Sequence, residues 1–417
     1  MLQKKLNASA LQFAILVSVI VAILLGSFLT LSYTHQFFNT QSGFMKTAIK
    51  ETKIGFNIGL SAAEDIGDSL VVPFENGTTT IKKKFWGAYA LIESTGEVKS
   101  KSFSKIGLVG KRTESPPISL YVSNNDAPLT VVGDTKIQGD AYLSDKSIKP
   151  GRINNINYSG SQLVEGQIKR SSRSLPQIDD GWIIFTRSLL NPGYLSGLEG
   201  ISQGDLNANS FLQPSRLVYN PGPITLSGKY IGNIIIKSET QIIVERFAEL
   251  TDIQVVAPKI VVKSGFKGTV HFLASEQIII EENVDLTYPS SVVVEDSNID
   301  FKIPVPEGEE PIILSKNSFI QGNIMYFPKR NLQDHTNTSI VIEESSIVEG
   351  DVYCIGNLEL EGVVRGTVYT DRFVVDGYGS KYMNYILNGK IMANEVHPGF
   401  CGLPLKNKTK GVVKWLY

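Results

Sequence analysis

"KIVVKSGFKGTVHFLASEQIIIEE", residues 259–282, sets short β-branched runs at nearly regular intervals, with small or charged residues between them. Such runs, bounded by turn residues, read as strands. They continue on both sides, as Ile234-Ile235-Ile236, Ile242-Ile243-Val244, Ile253 to Val256 and Val292-Val293-Val294. Taken in alternate pairs, 243 to 261 to 279 steps by 18 and 18 residues, and 235 to 255 to 271 by 20 and 16. A period of 16–20 residues with no helix between strands predicts a parallel β-helix, in which each coil covers the apolar side chains of the last.

A second signature spans more of the chain: glycine, a small or polar residue, an aliphatic, then often tyrosine. It occurs as GDAY (139–142), GNII (232–235), GTVH (268–271), GNIM (322–325), GDVY (350–353) and GTVY (366–369). Glycine suits a corner because it reaches positive φ freely, and the aliphatic two positions later then points inward. This part resembles bactofilin-type and other bacterial β-helix proteins, which implies units stacked into a rod.

The predicted β-helix occupies 116–375, opens near Leu129 ("LTVVGDTKIQGDAYL") and is interrupted by an insertion at about 150–225. A Pro/Glu loop at 302–311 interrupts it again. Residues 376–417 lose the period and are expected to cap the last coil, since a bare end would expose a β edge.

Residues 1–35 read as a short tip and a transmembrane helix. No charge occurs between Lys5 and Lys46, and Phe13 to Leu31 is an apolar run of 19 residues, roughly 28 Å as helix. It exceeds a signal-peptide core, and Leu31-Ser32-Tyr33-Thr34 is a poor cleavage site, so a retained anchor is expected, with membrane lipid around residues 10–32. Lys4 and Lys5 precede the span, which keeps the N-terminus cytoplasmic and sends the bulk outward.

Residues 36–115 continue with apolar positions at mostly helical spacing (Phe37, Phe38, Phe44, Ala48, Ile54, Ile58, Ala62, Ile66), as one long helix or two separated near Ser42-Gly43, to an end near Asp68 and Pro73. Three or four antiparallel strands follow over 78–112, with Ser94-Thr95-Gly96 as a hairpin turn. Trp86 and Tyr89 are expected to pack that sheet against the helix. The arrangement resembles type IV pilins and pseudopilins, which implies a bacterial inner-membrane anchor carrying a periplasmic or surface-exposed head. Gln12 stands roughly where the family carries Glu, and "KKLNASALQF" has no leader glycine, so the resemblance does not extend to leader processing.

With 40 basic and 41 acidic residues the formal net charge is −1, which offers no field for nucleic acid. Cys354 and Cys401 are too few for a disulfide framework or a four-ligand zinc site; as a pair they either bridge or stay as buried thiols. The four histidines have no metal spacing. No cofactor motif occurs. The acidic run ends Glu245, Glu281-Glu282, Glu295-Asp296 and Glu343-Glu344 would line up in a β-helix. As a ladder they would bind Ca²⁺ or attack a polysaccharide; interleaved with Lys263 they are a solvated face of alternating charge, the reading preferred here. "DLNANSFLQPSR" (205–216) opens like a calcium loop but has Ser210 for the glycine and Arg216 for the bidentate Glu.

These residues describe an anchored, non-enzymatic structural or assembly protein of a bacterial envelope, partnered by like subunits or other envelope proteins. The alternative is an anchored β-helix that binds or cleaves a glycan, with the insertion roofing a groove served by Asp179, Asp180 and Trp182 and by carboxylates among Glu281, Glu282, Glu295 and Asp296.

Overall fold

The computed structural model describes residues 8–61, 69–204, 206–296, 308–328, 336–377 and 379–416. The chain is mainly β, built from one long apolar helix, a small antiparallel sheet and a closed sheet of parallel-paired strands.

The helix α1 (Ala8–Ser61) runs unbroken for 54 residues, roughly 80 Å, and Ser42-Gly43 does not interrupt it. The predicted end at Asp68 lies outside the described residues. Residues 9–40 are exposed on every side, including Phe13, Leu16, Ile20, Leu24 and Phe28. A helix that is apolar all round and touches nothing matches a bilayer rather than water. Among the described residues it is the one helix long and apolar enough to cross a membrane. Several of its hydroxyls bond within the helix: Ser27 donates to the Ile23 carbonyl and Thr30 to that of Gly26, each at 2.8 Å.

Beyond residue 40 the helix meets the antiparallel strands β1 (Ser69–Phe74), β2 (Gly77–Trp86), β3 (Tyr89–Val98) and β4 (Lys101–Arg112). Phe56 packs with Ile81, Ala90, Ile92 and Val109. The Gly96 amide donates to Thr52 Oγ1 at 3.0 Å and Ser94 Oγ to the Thr52 carbonyl at 3.0 Å. The expected turn at Ser94-Thr95-Gly96 is therefore absent: β3 passes straight through it, and the hairpins close at 87–88 and 99–100. Gly96 serves packing instead, since a Cβ there would lie 2.8 Å from the Ala48 carbonyl oxygen and 2.6 Å from Thr52 Oγ1.

Trp86 and Tyr89 also depart from expectation. They occupy the sheet's other face, against the parallel strands: Trp86 Nε1 donates to the Asp252 carbonyl at 2.8 Å, and Tyr89 meets His271 edge-on at 5.9 Å. Alternation along a strand decides this, because the helix takes Ala90 and Ile92 on the opposite face. The small sheet is thus a middle layer between α1 and the larger sheet.

In the larger sheet each turn pairs in parallel with the next. Ile243 pairs with Val261 and Val261 with Ile279, the 18-residue register read from the sequence. The second series is offset by one residue, with Ile235 opposite Gln254 and Gln254 opposite His271. One inward column runs Val218, Ile236, Val255, Phe272, Val292, Ile324, Val352, Val368, Leu120, Ala141 and Ile168. All are buried except the terminal Ile168, 47% exposed. Every aliphatic of the glycine signature lies in this core: Ala141, Ile234, Val270, Ile324, Val352 and Val368. Burying each such aliphatic contributes about 1.5–3 kcal/mol, less for Ala141.

The column also shows where spatial order leaves chain order. The strand Ile118–Val122, upstream of the predicted opening at Leu129, pairs with Val368–Gly377 on one side and Asp140–Leu143 on the other. Likewise Lys390–Met392 lies between Val363–Arg365 and Lys136–Gln138. The early strands are laid onto the late ones. Residues 376–417 cover the edge of Val363–Arg365 through Lys390–Met392, as a cap would, but Lys136–Gln138 covers that strand in turn. They supply strands at this seam, and then Cys401–Gly402 and Lys410–Trp415 pair antiparallel with β4 in the small sheet. The predicted insertion is shorter than 150–225, because Ile168–Arg170 and Arg216–Asn220 already pair in the parallel sheet. Between them, helix α2 (Asp180–Leu190) lies along the outside. The predicted loop at 302–311 falls mostly outside the described residues.

Both thiols are free and buried, Cys354 in the inner core and Cys401 beside β4, so the possible Cys354–Cys401 disulfide is not formed.

Candidate functional site

Next to each inward aliphatic stands an outward residue, and these form a second column: Val256, Leu273, Val293, Met325, Tyr353, Tyr369, Tyr121 and Tyr142. Its tyrosine end is a run of ring contacts, with Tyr353–Tyr369 at 6.0 Å, Tyr369–Tyr121 at 6.3 Å and Tyr121–Tyr142 stacked at 5.4 Å. The tyrosines of GDAY, GDVY and GTVY thus acquire a shared role. The small sheet covers part of the column and α2 another part. Beside α2 a groove of about 990 Å³ stays open, bordered by Trp182, Ile183, Arg187, Glu295, Phe327 and Tyr353.

Asp179, Asp180 and Trp182 all belong to the start of α2, and their first task there is structural. Asp179 is the N-cap: its Oδ1 accepts from the Gly181 amide at 2.9 Å, while its Oδ2 pairs with Lys83 of β2 at 2.7 Å. Trp182 is buried, with Nε1 donating to the Gly87 carbonyl at 2.9 Å and its ring 5.5 Å from Phe327. Asp180 borders the groove and pairs with Lys406 at 2.6 Å.

The acidic run ends do not converge. Glu281 pairs with Lys263 at 2.7 Å; burial works against its charge, but the Lys263 ammonium and the Ser264 amide hold its carboxyl below the usual range. Lys316 pairs with Glu344 at 2.7 Å in the same alternating fashion. Glu282 is exposed. Glu295, largely buried, takes Arg187 of α2 as its partner, and Asp296 accepts from the Tyr326 hydroxyl at 3.2 Å. Of the predicted residues, only Asp180, Trp182 and Glu295 border the groove. Among the described residues no three of His, Cys, Asp and Glu stand together as a metal set.

What the residue pattern did not reveal is the polar seam between the two sheets. The column Gln254, His271, Ser291, Asn323, Asp351 and Thr367 is buried, and His271, Ser291 and Asp351 in it meet the small sheet at Tyr89, Ala88 and Lys111. Lys111 of β4 reaches into it, 3.7 Å from Asp351 and 2.9 Å from the Tyr369 hydroxyl. Burial disfavours that ammonium, but Asp351 and Tyr369 outweigh it and raise its pKa. Like Lys83–Asp179 and Lys414–Asp252 (each 2.7 Å), this ion pair joins a lysine of the small sheet to an aspartate beyond it.

His271 sits at the centre of this seam. Gly87 takes a left-handed φ of 56° directly over it, and a Cβ there would lie 2.1 Å from His271 Nδ1. The ring shares a hydrogen bond with Ser291 Oγ at 3.0 Å. Burial first, and Lys414 second, push its pKa down to about 3. The unfolded chain takes up a proton near pH 6.5, whereas the folded site refuses it until about 3. Between those values the unfolded state holds more protons, so stability falls as pH falls, by up to about 1.4 kcal/mol per pH unit. Glu359, raised to about 7 by burial, has the opposite sign: its contribution is present below pH 4.5 and is lost as pH rises through about 7. The histidine effect is therefore read as a difference. Between pH 7 and pH 5 the wild type should lose about 2 kcal/mol more than His271→Gln in urea unfolding. Parallel curves for the two proteins would show that this ring titrates normally.

No family model matches the chain, and no curated protein matches it. Among solved structures it is similar to the competence-associated pilin ComZ from Thermus thermophilus, at 9% identity, over 89% of this chain and 97% of that one. The TM-score is 0.18, a level at which the likeness carries no argument about fold or role.

Proposed function

We propose that this chain is a single-pass, membrane-anchored scaffold or assembly protein of a bacterial envelope, with its N-terminus cytoplasmic and its bulk outside. On this reading the parallel-paired sheet is a β-helix, and α1 with the small sheet is a pilin-like mount for it. No catalytic step is assigned. One observation carries the proposal: the apolar, contact-free half of α1 continues without a break into a half that is packed on the small sheet. That sheet is in turn fixed to the parallel strands by buried aromatics and ion pairs. A membrane span coupled so rigidly to a long β body transmits position and force, which suits a structural part. Residues 32–40 would form a stem of roughly 13 Å between bilayer and body. Tyr33, Phe37 and Phe38, all exposed there, suit the interfacial zone.

The charge pattern supports the scaffold over catalysis, since the carboxylates on the run ends pair with lysines instead of gathering. Partners are expected to be other envelope proteins or further copies. In a bacterial host, the full chain should fractionate with the inner membrane. Protease added to spheroplasts should digest the body, and crosslinking should recover a protein partner. Protection of the body in spheroplasts, or a freely soluble full-length chain, would reject the proposal.

A further inference from the structure

We propose that the groove beside α2 binds an uncharged oligosaccharide. Its volume, about 990 Å³, is at the upper end of ligand pockets, which run roughly 300–1,000 Å³, and leaves room for several sugar rings. Its charges cancel locally. Lys406 pairs with Asp180 at 2.6 Å, Arg187 with Glu295, and Arg173 with Asp126 at 4.0 Å. Neither an anionic polymer nor a cation finds a net field there, and so many polar groups disfavour a lipid tail. What remains is hydrogen-bonding capacity beside an apolar floor. Ile183 and Ile355, both half-buried, present that floor, and the buried Phe327–Tyr353 stack at 5.3 Å backs them. On the wall, the Asn124 carboxamide oxygen accepts from the Asp126 amide, but its NH₂ and the whole Gln177 carboxamide have no protein partner among the described residues. A sugar hydroxyl both donates and accepts, so it can satisfy either end of a carboxamide. The C–H faces of the rings suit the floor.

The proposal does not depend on the scaffold reading, and either can fail alone. The test uses the full chain in lauryldimethylamine oxide micelles, which carry no sugar headgroup. Cellohexaose, maltohexaose and chitohexaose are titrated as neutral probes, with hexagalacturonate as the charged one. At least one neutral hexamer should bind saturably, and more tightly than hexagalacturonate. Gln177→Ala and Ile183→Trp should each weaken it by about five-fold or more, with melting temperature unchanged for Gln177→Ala. Absence of neutral binding, preference for the charged probe, or binding untouched by Gln177→Ala in folded protein would overturn the assignment.

Discussion

Gly350→Val is expected to unfold the late turns of the parallel sheet. A Cβ at residue 350 would lie 1.8 Å from the Gly322 carbonyl oxygen, and that oxygen belongs to backbone that cannot swing aside. The contact repeats along the corner: a Cβ at Gly322 would lie 1.8 Å from the Ser290 carbonyl oxygen, and one at Gly366 2.0 Å from that of Gly350. The corner glycines of the recurrent signature are required by this close approach of turn upon turn. Positive φ, the reason suggested by the sequence, holds as well: it is 119° at Gly139, 84° at Gly232, 148° at Gly322, 156° at Gly350 and 159° at Gly366. Separating the turns enough to admit valine also breaks ladder hydrogen bonds, so the cost should exceed about 4 kcal/mol and lower the melting temperature by roughly 10 °C or more. Gly377→Ala is the control, because nothing lies within 4 Å of its Cβ position. It should change stability by about 0.5 kcal/mol at most. Equal behaviour of the two variants in thermal unfolding would show that the turns are not in contact at this corner.

The second large effect comes from the inward column. Phe272 is buried between Val255 and Val292, so Phe272→Ala leaves a cavity walled by the turns on both sides. The expected loss is about 3–5 kcal/mol in urea unfolding. Ile279, as apolar and in the same strand, is only half-buried on the outer side, and Ile279→Ala should cost about 1 kcal/mol or less. The contrast between two hydrophobic positions in one strand tests the inward–outward phase. Similar losses at both would place residues 277–280 between two covered faces instead.

The features legible in the sequence are those that repeat locally. The 18-residue register was readable because Ile243, Val261 and Ile279 sit at equivalent points of successive turns. The inward aliphatic of each glycine signature was readable for the same reason. The seam was not. Ile118-Ser119-Leu120-Tyr121 carries no glycine signature, and nothing local announces that it will pair with Val368 and Tyr369, some 250 residues on. Local pattern therefore tells that the last coil needs a cover, which Lys390–Met392 supplies in part, but not that Ile118–Val122 supplies the rest. Gly96 misled because a glycine after Ser-Thr has two uses, a turn or a close approach, and only the position of α1 distinguishes them. The true hairpin at 99–100 has Lys99 at φ 53°, a left-handed conformation that lysine does not advertise. For the groove, Asp179, Asp180 and Trp182 were legible as a polar, aromatic start to an element. That Asp179 is spent on a cap and on Lys83, while Asn124 and Gln177 are left to the groove, depends on packing across 96 residues and more.

The central claim is that successive turns lie side by side in parallel register, and that the early strands close onto the late ones. Neighbouring strands are about 4.8 Å apart, within reach of an ethane-spaced bis-methanethiosulfonate crosslinker. The measurement is crosslinking of two double-cysteine variants, Val261→Cys with Ile279→Cys and Lys136→Cys with Lys390→Cys, all at half-buried sites, while Cys354 and Cys401 stay shielded. Both variants should form an intramolecular crosslink in high yield, seen by peptide mass spectrometry. A failed link between 261 and 279 would contradict the stacking of turns, and a failed link between 136 and 390 alone would contradict the seam.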